Sequence, residues 1–145
     1  MVEPVLIEPN SIRREAVAGL LAADPFASSL GIKLTEVGPA SITIEMTVTE
    51  SMTNVHGRLH GGALFSMADT ALALYSNSYG FAAVVIDAHM AFTAAVNLGV
   101  KLTAVVEEVH KGRTLATYQV LIHREDRKIA AHFTGTVFVQ ADVPI

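Results

Sequence analysis

The stretch from Gly61 to about Tyr79, GGALFSMADTALALYSNSY, constrains this chain most. It is rich in Ala, Leu and Met, opens on two glycines, and has Gly80 placed to cap its end. This predicts the main helix. Its apolar residues, Leu64, Phe65, Met67, Ala68, Ala71, Leu72 and Leu74, go nearly all round. Such a helix is buried on most sides, so the rest of the chain must wrap it. One acid breaks the pattern: Asp69 is the only acid between Glu50 and Asp87.

The remaining sequence reads mostly as strand. From Ser41 to Thr49, Ile42, Ile44, Met46 and Val48 alternate with Thr43, Glu45, Thr47 and Thr49. Gly38-Pro39 separates this run from a shorter strand, IKLTEV. After the helix come AAVVIDAHMAF, VKLTAVVEEVH, TLATYQVLIH and KIAAHFTGTVFV, with turns at Lys111-Gly112 and near Glu125-Asp126. The loops are short, which predicts an antiparallel meander with room for a crossover after the helix. Before all of this, cap-like Asn10 or Ser11 opens a short helix with Ile12, Ala16 and Leu20 at helical spacing, ending near Pro25. The expected class is α+β: one twisted antiparallel sheet of five or six strands round one long helix. A single domain spans 1–145, with 1–23 as an N-terminal helical extension.

Composition narrows the function. Hydrophobic residues make up 51% of the 145 and charged residues 17%. That is much apolar surface for a small domain, and it predicts burial against another subunit. The longest uncharged run, Thr70 to Ile86, carries Ser76-Asn77-Ser78 and Gly80, so a membrane span is not expected. MVEPVLIEPNSIRR lacks the basic start and apolar block of a signal peptide, so the expected location is the cytoplasm. There is no cysteine, which excludes disulfides, thiolate zinc sites and a cysteine nucleophile. The net charge of −4 gives no case for nucleic-acid binding.

Gly61 and Gly62 fall at the predicted helix start, where backbone N–H groups lack partners and the helix dipole is positive. Glycines let an oxygen approach, and a developing oxyanion is stabilised in such a place. Asp69 is the matching acid. Eight helical residues rise about 12 Å, so Gly61 and Asp69 of one helix cannot both touch one small reacting group. Two antiparallel helices side by side would bring Gly61 of one chain to Asp69 of the other, a site shared across a two-fold dimer. The competing reading stays open: a lone buried Asp is also satisfied by backbone or water in a purely structural role.

NVHGRLHGGALFSMADTALALYSNS, with Asn54, Gly57, His60, Gly61, Gly62, Asp69, Asn77 and Ser78, resembles the signature of the hotdog-fold acyl-CoA thioesterases of the PaaI-like phenylacetyl-CoA thioesterase group. DPFASSLGIKL is similar to that family's approach to its first strand, and the order of elements agrees from about Asp24 onward. The resemblance implies an antiparallel sheet wrapped round one central helix, and hydrolysis of acyl-CoA or aryl-CoA to free acid and coenzyme A. It implies Asp69 as catalytic carboxylate, activating water or attacking the thioester carbon. The Gly61 N–H would polarise the carbonyl, with Gly62 beside it. Asn54 would hold water or orient the acyl group. His60 would shape the turn and hydrogen-bond near the substrate. The family's helper hydroxyl after the helix is replaced here by Val84-Val85-Ile86, with Thr70 as a substitute. The family's Pro-Gly after the next strand is replaced by Thr93-Ala94-Ala95. No cofactor is implied, since coenzyme A belongs to the substrate. The assembly implied is a homodimer as catalytic unit, paired again into a homotetramer.

Lys111-Gly112-Arg113 reads as a basic turn, either a solvated hairpin or a grip on the coenzyme's phosphates, with Arg58 as a second candidate. His56 and His60 are four apart, but the glycines argue against a helix there and no third ligand is evident, so no metal is expected. His89, His110, His123 and His132 fall on separate predicted strands. Two rivals remain. A hotdog-fold hydratase or dehydratase usually relies on a His–acid pair in a different motif. A non-catalytic acyl-CoA-binding module would leave Asp69 without a task.

Overall fold

The computed structural model describes residues 9–145, with side chains from Arg13 onward. Helix α1 is Pro9–Ala22, so Asn10 and Ser11 fall inside it and the side chain of Ile12 lies outside the described residues. Of the Ile12, Ala16 and Leu20 row, Leu20 packs partly buried against the core and Ala16 is exposed, while the fully buried positions are Val17 and Leu21. Arg13 lies on the same face four residues earlier, and its guanidinium stacks 4.5 Å from the Tyr75 ring centre. That contact fixes the rotation of α1. The chain does not simply stop at Pro25. Asp24 caps a five-residue helix α2, Pro25–Ser29, its carboxylate accepting from the Ala27 N–H at 3.0 Å. Asp followed by Pro at the first helical position is a cap signal that the sequence already held.

The strands are β1 (Lys33–Val37), β2 (Ser41–Thr47), β3 (Phe81–Phe92), β4 (Lys101–Lys111), β5 (Leu115–His123) and β6 (Ile129–Pro144). They form one antiparallel sheet in the order β1-β2-β4-β5-β6-β3. Strands β4, β5 and β6 are the expected meander. The crossover is real and large: β3 follows the helix in sequence yet lies at the far edge beside β6, while β4 returns to β2. β2 ends at Thr47 rather than Thr49, although Val48 still exchanges backbone bonds with Val100 and Gly99.

The central helix α3 is Gly61–Asn77. Its C-cap is Ser78, not Gly80; Gly80, at φ +88°, makes the turn into β3 instead. Asn77 fastens the helix end to that strand, its side chain accepting from the Ala83 N–H at 2.9 Å and donating to the Ala83 carbonyl at 3.3 Å. On the other side, Leu64, Met67, Ala68, Ala71 and Leu72 pack on the inward rows of the sheet, Ile42 and Ile44, Leu102 and Val106, Tyr118, Val120 and Phe133. Leu72 packs directly over Gly135 of β6: a Cβ there would lie 2.4 Å from Leu72 Cδ1. The burial leaves one strip of α3 uncovered, running through Gly62, Phe65, Ser66, Asp69 and Ala73, at the three- and four-residue spacing of a helix face.

Candidate active site

The start of α3 is set by its cap. His60 sits in extended backbone at φ −65° and ψ 133°, and its Nδ1 accepts from the Gly62 N–H at 2.8 Å. An accepting Nδ1 puts the ring hydrogen on Nε2. A Cβ on residue 62 would stand 2.9 Å from that Nδ1, so glycine is what makes this cap fit. The Ala63 and Leu64 N–H groups go to the His60 carbonyl, at 3.0 and 3.4 Å. Of the four first-turn amides, only the Gly61 N–H has no acceptor among the described residues. It sits where the helix dipole is most positive. A Cβ on residue 61 would come within 3.1 Å of the Phe92 ring at the end of β3, a contact that this exposed side chain relieves by a shift of a few tenths of an ångström.

The loop before the cap is wound on Asn54. Its side-chain oxygen accepts from the His56 and Arg58 N–H groups, at 2.9 and 3.3 Å, and Gly57 takes φ +71° inside this turn. The carboxamide NH2 of Asn54 has no partner among the described residues. Asn54, Arg58, Gly61, Leu64, Phe92 and Val96 line a cavity of about 440 Å³. The structure thus gathers Asn54, Gly61 and Arg58 round one space, with His60 and Gly62 on the opposite flank of the helix start. Phe92 and the loop 93–96 close the cavity, and sequence reasoning did not assign them. They come from a strand that begins after the helix, so no local spacing links them to Gly61.

Asp69 stands two turns further on, half-buried on the uncovered strip. It has no hydrogen-bond partner among the described residues. Burial holds its carboxyl above the ordinary value of 3.8, and the negative charge of Asp24 adds to the shift. It does not line the cavity that holds Gly61 of the same chain. Thr70 is buried beside it with its hydroxyl donating to the Ser66 carbonyl at 2.8 Å, which leaves only acceptor lone pairs for a ligand. Lys111 and Arg113 lie at the other end of the molecule, where β4 turns into β5. Lys111 Nζ rests 3.7 Å from the centre of the Tyr79 ring, and Arg113 is exposed. Neither is near Arg58 within one chain, since α3 separates them. Burial and the bond from Tyr79 to Glu108, at 2.6 Å, push the Tyr79 hydroxyl well above the ordinary tyrosine range.

A six-stranded antiparallel sheet wrapped on one long helix is the layout of the hotdog fold. The model of the thioesterase superfamily matches residues 56–131, and the chain belongs to that superfamily. Its sequence is 38% identical over 112 residues to the acyl-coenzyme A thioesterase PaaI of Escherichia coli, covering 77% of this chain and 80% of that protein. A Deinococcus radiodurans protein that carries only a general esterase name is 41% identical over 113 residues, covering 77% of each. The solved structure of E. coli PaaI, from the phenylacetic acid degradation operon, superposes with a TM-score of 0.86 at 32% identity, over 90% of this chain and 94% of that one. A hypothetical thioesterase protein of Streptococcus pneumoniae, solved with coenzyme A, is 28% identical, with a TM-score of 0.72 over 75% of this chain and 88% of that one. No described helix is long and apolar enough to cross a membrane.

Proposed function

We propose that this protein hydrolyses acyl-CoA or aryl-CoA thioesters, with each site built from two chains. The observation that carries this is the amide accounting at the start of α3: one N–H, that of Gly61, is left without an acceptor and opens on a cavity. The thioester carbonyl oxygen accepts from it. The carboxylate of Asp69 comes from the second chain, because the same helix holds its own Asp69 about 12 Å away. As general base, Asp69 takes a proton from water; the water oxygen bonds to the carbonyl carbon, and negative charge on the carbonyl oxygen is stabilised at Gly61. Collapse breaks the C–S bond, and the coenzyme leaves as thiolate and takes up a proton. As nucleophile, Asp69 would bond to the carbonyl carbon first, the C–S bond would break to release the coenzyme as thiolate, and water would then cleave the resulting anhydride. The NH2 of Asn54 is free to hold the water or the acyl group.

Edge strand β3 supports the pairing of chains. It is twelve residues long and carries exposed Val84, Ile86 and Phe92 on an edge with no neighbouring strand among the described residues. Phe65 and Asp69 lie on the uncovered strip of α3 towards that side, with Phe65 edge-on to Phe133 of β6, the strand beside β3. Two copies joined along β3 by a two-fold axis bring antiparallel α3 helices together. The Lys111–Arg113 turn of one chain then approaches Arg58 of the other, and these three cations are proposed to meet the coenzyme's phosphates. The relatives named for acyl-coenzyme A and solved with coenzyme A support that substrate. A homotetramer of two such dimers in the cytoplasm completes the proposal, in line with the 51% hydrophobic composition.

The experiment is thiol release from a panel of acyl- and aryl-CoAs, with and without Asp69→Asn. The substitution keeps the shape and removes the base. The expected result is turnover by the natural protein and a kcat lower by about 10²-fold or more in the variant, with KM little changed. Near-normal turnover in a folded, oligomeric Asn variant would show that Asp69 is a structural polar group.

A further inference from the structure

The loop after β3 has a hollow on each side. On one side lies the cavity beside Gly61, lined by Ala94, Ala95 and Val96. On the other lies a hollow of about 290 Å³, lined by Ala95, Asn97, Val100 and residues 124–126 of the turn that joins β5 to β6. At Ala95 the wall between the two is a single thickness of chain. Its sequence, Thr93-Ala94-Ala95-Val96-Asn97, has no proline to fix its backbone. Backbone bonds tie its ends. The Thr93 and Ala94 N–H groups donate to the Ala130 carbonyl at 2.9 and 3.4 Å, and the Val96 carbonyl accepts from the Leu59 N–H at 2.9 Å. Leu59 and Val96 are buried, and Leu59 stands just before the His60 cap. The middle is held by a side chain. Arg124 Nη1 donates to the Ala95 carbonyl at 2.9 Å, and no other side chain donates to 94–97 among the described residues. The guanidinium is itself aimed. Asp126 accepts from Nε at 3.0 Å and also from Nη2, and it accepts from the Lys128 N–H at 3.1 Å. The turn is fastened in its own right: the Arg124 N–H donates to the Lys128 carbonyl at 2.9 Å, and Glu125 accepts from the Lys101 N–H at 2.7 Å.

We infer that Arg124, aimed by Asp126, is a positioning residue: it holds the wall of the cavity beside Gly61 and, through Leu59, the aim of the Gly61 N–H. The inference rests on the thioester reading above. It goes beyond that reading by giving a part in the rate to a residue that lies behind the wall and does not line the cavity. Both partners of the pair are partly exposed, so the pair itself adds little to stability. Its effect is geometric, since a misplacement of about 1 Å far from the chemistry can cost up to about 10²-fold in rate. Without Arg124, the Ala95 carbonyl loses its donor and the wall can relax into the hollow behind it. The bond from Arg124, with that from the Lys128 N–H, holds the Asp126 carboxyl down at about 2. The pair therefore stays charged across the range in which Asp69, raised above 3.8, titrates.

Arg124→Ala and Arg124→Lys test this against the natural protein, with two readouts. The first is kcat and KM for an acyl-CoA that the natural protein cleaves. The second needs no substrate: it is hydrogen exchange at the Leu59 amide, which is bonded to the wall, with the Thr93 amide at the tied end as control. Arg124→Ala is expected to lower kcat about tenfold, with the larger part of the loss in kcat rather than KM. Exchange at Leu59 should quicken about tenfold while Thr93 keeps its protection. The melting temperature should move by about 3 °C or less. Arg124→Lys keeps a cationic donor for the Ala95 carbonyl but loses the fork to Asp126, so it should regain part of both losses. An unchanged kcat in Arg124→Ala overturns the inference, even if Leu59 exchanges faster. So does Arg124→Lys no better than Arg124→Ala. A fall in kcat that comes with a lower melting temperature and equally fast exchange at Thr93 would make Arg124 a general prop of the fold, and overturns it too. If the natural protein releases thiol from no acyl-CoA, it is the thioester reading that fails, and exchange at Leu59 still decides whether Arg124 holds the wall.

Discussion

Asp69 has no hydrogen-bond partner among the described residues, and two consequences follow from its raised pKa. The first is kinetic. A carboxylate must be ionised to act as base or nucleophile, so kcat/KM should rise with pH through the pKa of Asp69, with an acid limb above the ordinary 3.8. Asp24→Asn keeps the α2 cap but removes the nearby charge; it should move that limb to lower pH, and a pH–rate profile reads the shift. The second is thermodynamic. A carboxyl whose pKa is higher in the folded chain than in the unfolded one holds its proton more tightly when folded. Stability therefore falls as pH rises from 3.8 through the raised value, and stays lower above it. Asp69→Asn should melt at a higher temperature than the natural protein at pH 7, with the gap closing below pH 3.8, as followed by circular dichroism. A variant that melts lower at pH 7 would mean that the carboxylate is held by favourable contacts. At this scale the sequence was informative, because a lone acid between two glycines and a long apolar run is visible without coordinates. The partner of each group was not: that Gly62 is spent on His60 while Gly61 is left open depends on side-chain rotation.

Among the elements, α3 and the paired strands were legible because hydrophobic period survives packing. The place of β3 was not, since its continuous apolar run fits a central strand as well as a dimerising edge. The rotation of α1 was missed for a related reason. Val17 and Leu21 differ little in character from Ala16 and Leu20, and the stacking of Arg13 on Tyr75 decides between the two faces. Packing also explains a glycine that has no turn to make. Gly135 lies in the middle of β6 because Leu72 of α3 occupies the space above it, with Phe133 at 3.0 Å from the same point. Leu72 and Phe133 are fully buried and have little room to yield. Gly135→Ala should therefore cost about 1–3 kcal/mol, as overpacking does, seen as a lower urea midpoint with an unchanged slope. A neutral or stabilising result would mean that Leu72 and Phe133 yield to the added methyl without loss of packing.

The whole molecule is where the account stands or falls. One chain holds an open amide, a cavity beside it, and a carboxyl on a strip that faces away. In the proposed dimer, a second chain covers both the edge of β3 and the strip on α3. The most direct measurement mixes two inactive variants. Asp69→Asn loses the carboxylate. Gly61→Pro loses the N–H at the first helical position, where proline is tolerated and where His60 already has the extended backbone that a following proline requires. Each homodimer then has two broken sites, whereas each mixed dimer has one site with both parts intact and one with neither. Denatured and refolded together in equal amounts, the pair should recover about a quarter of natural activity, since half of the dimers are mixed and each carries one good site of two. Activity that stays at the average of the two parents, in particles shown by mass to be mixed dimers, would contradict a site shared between chains.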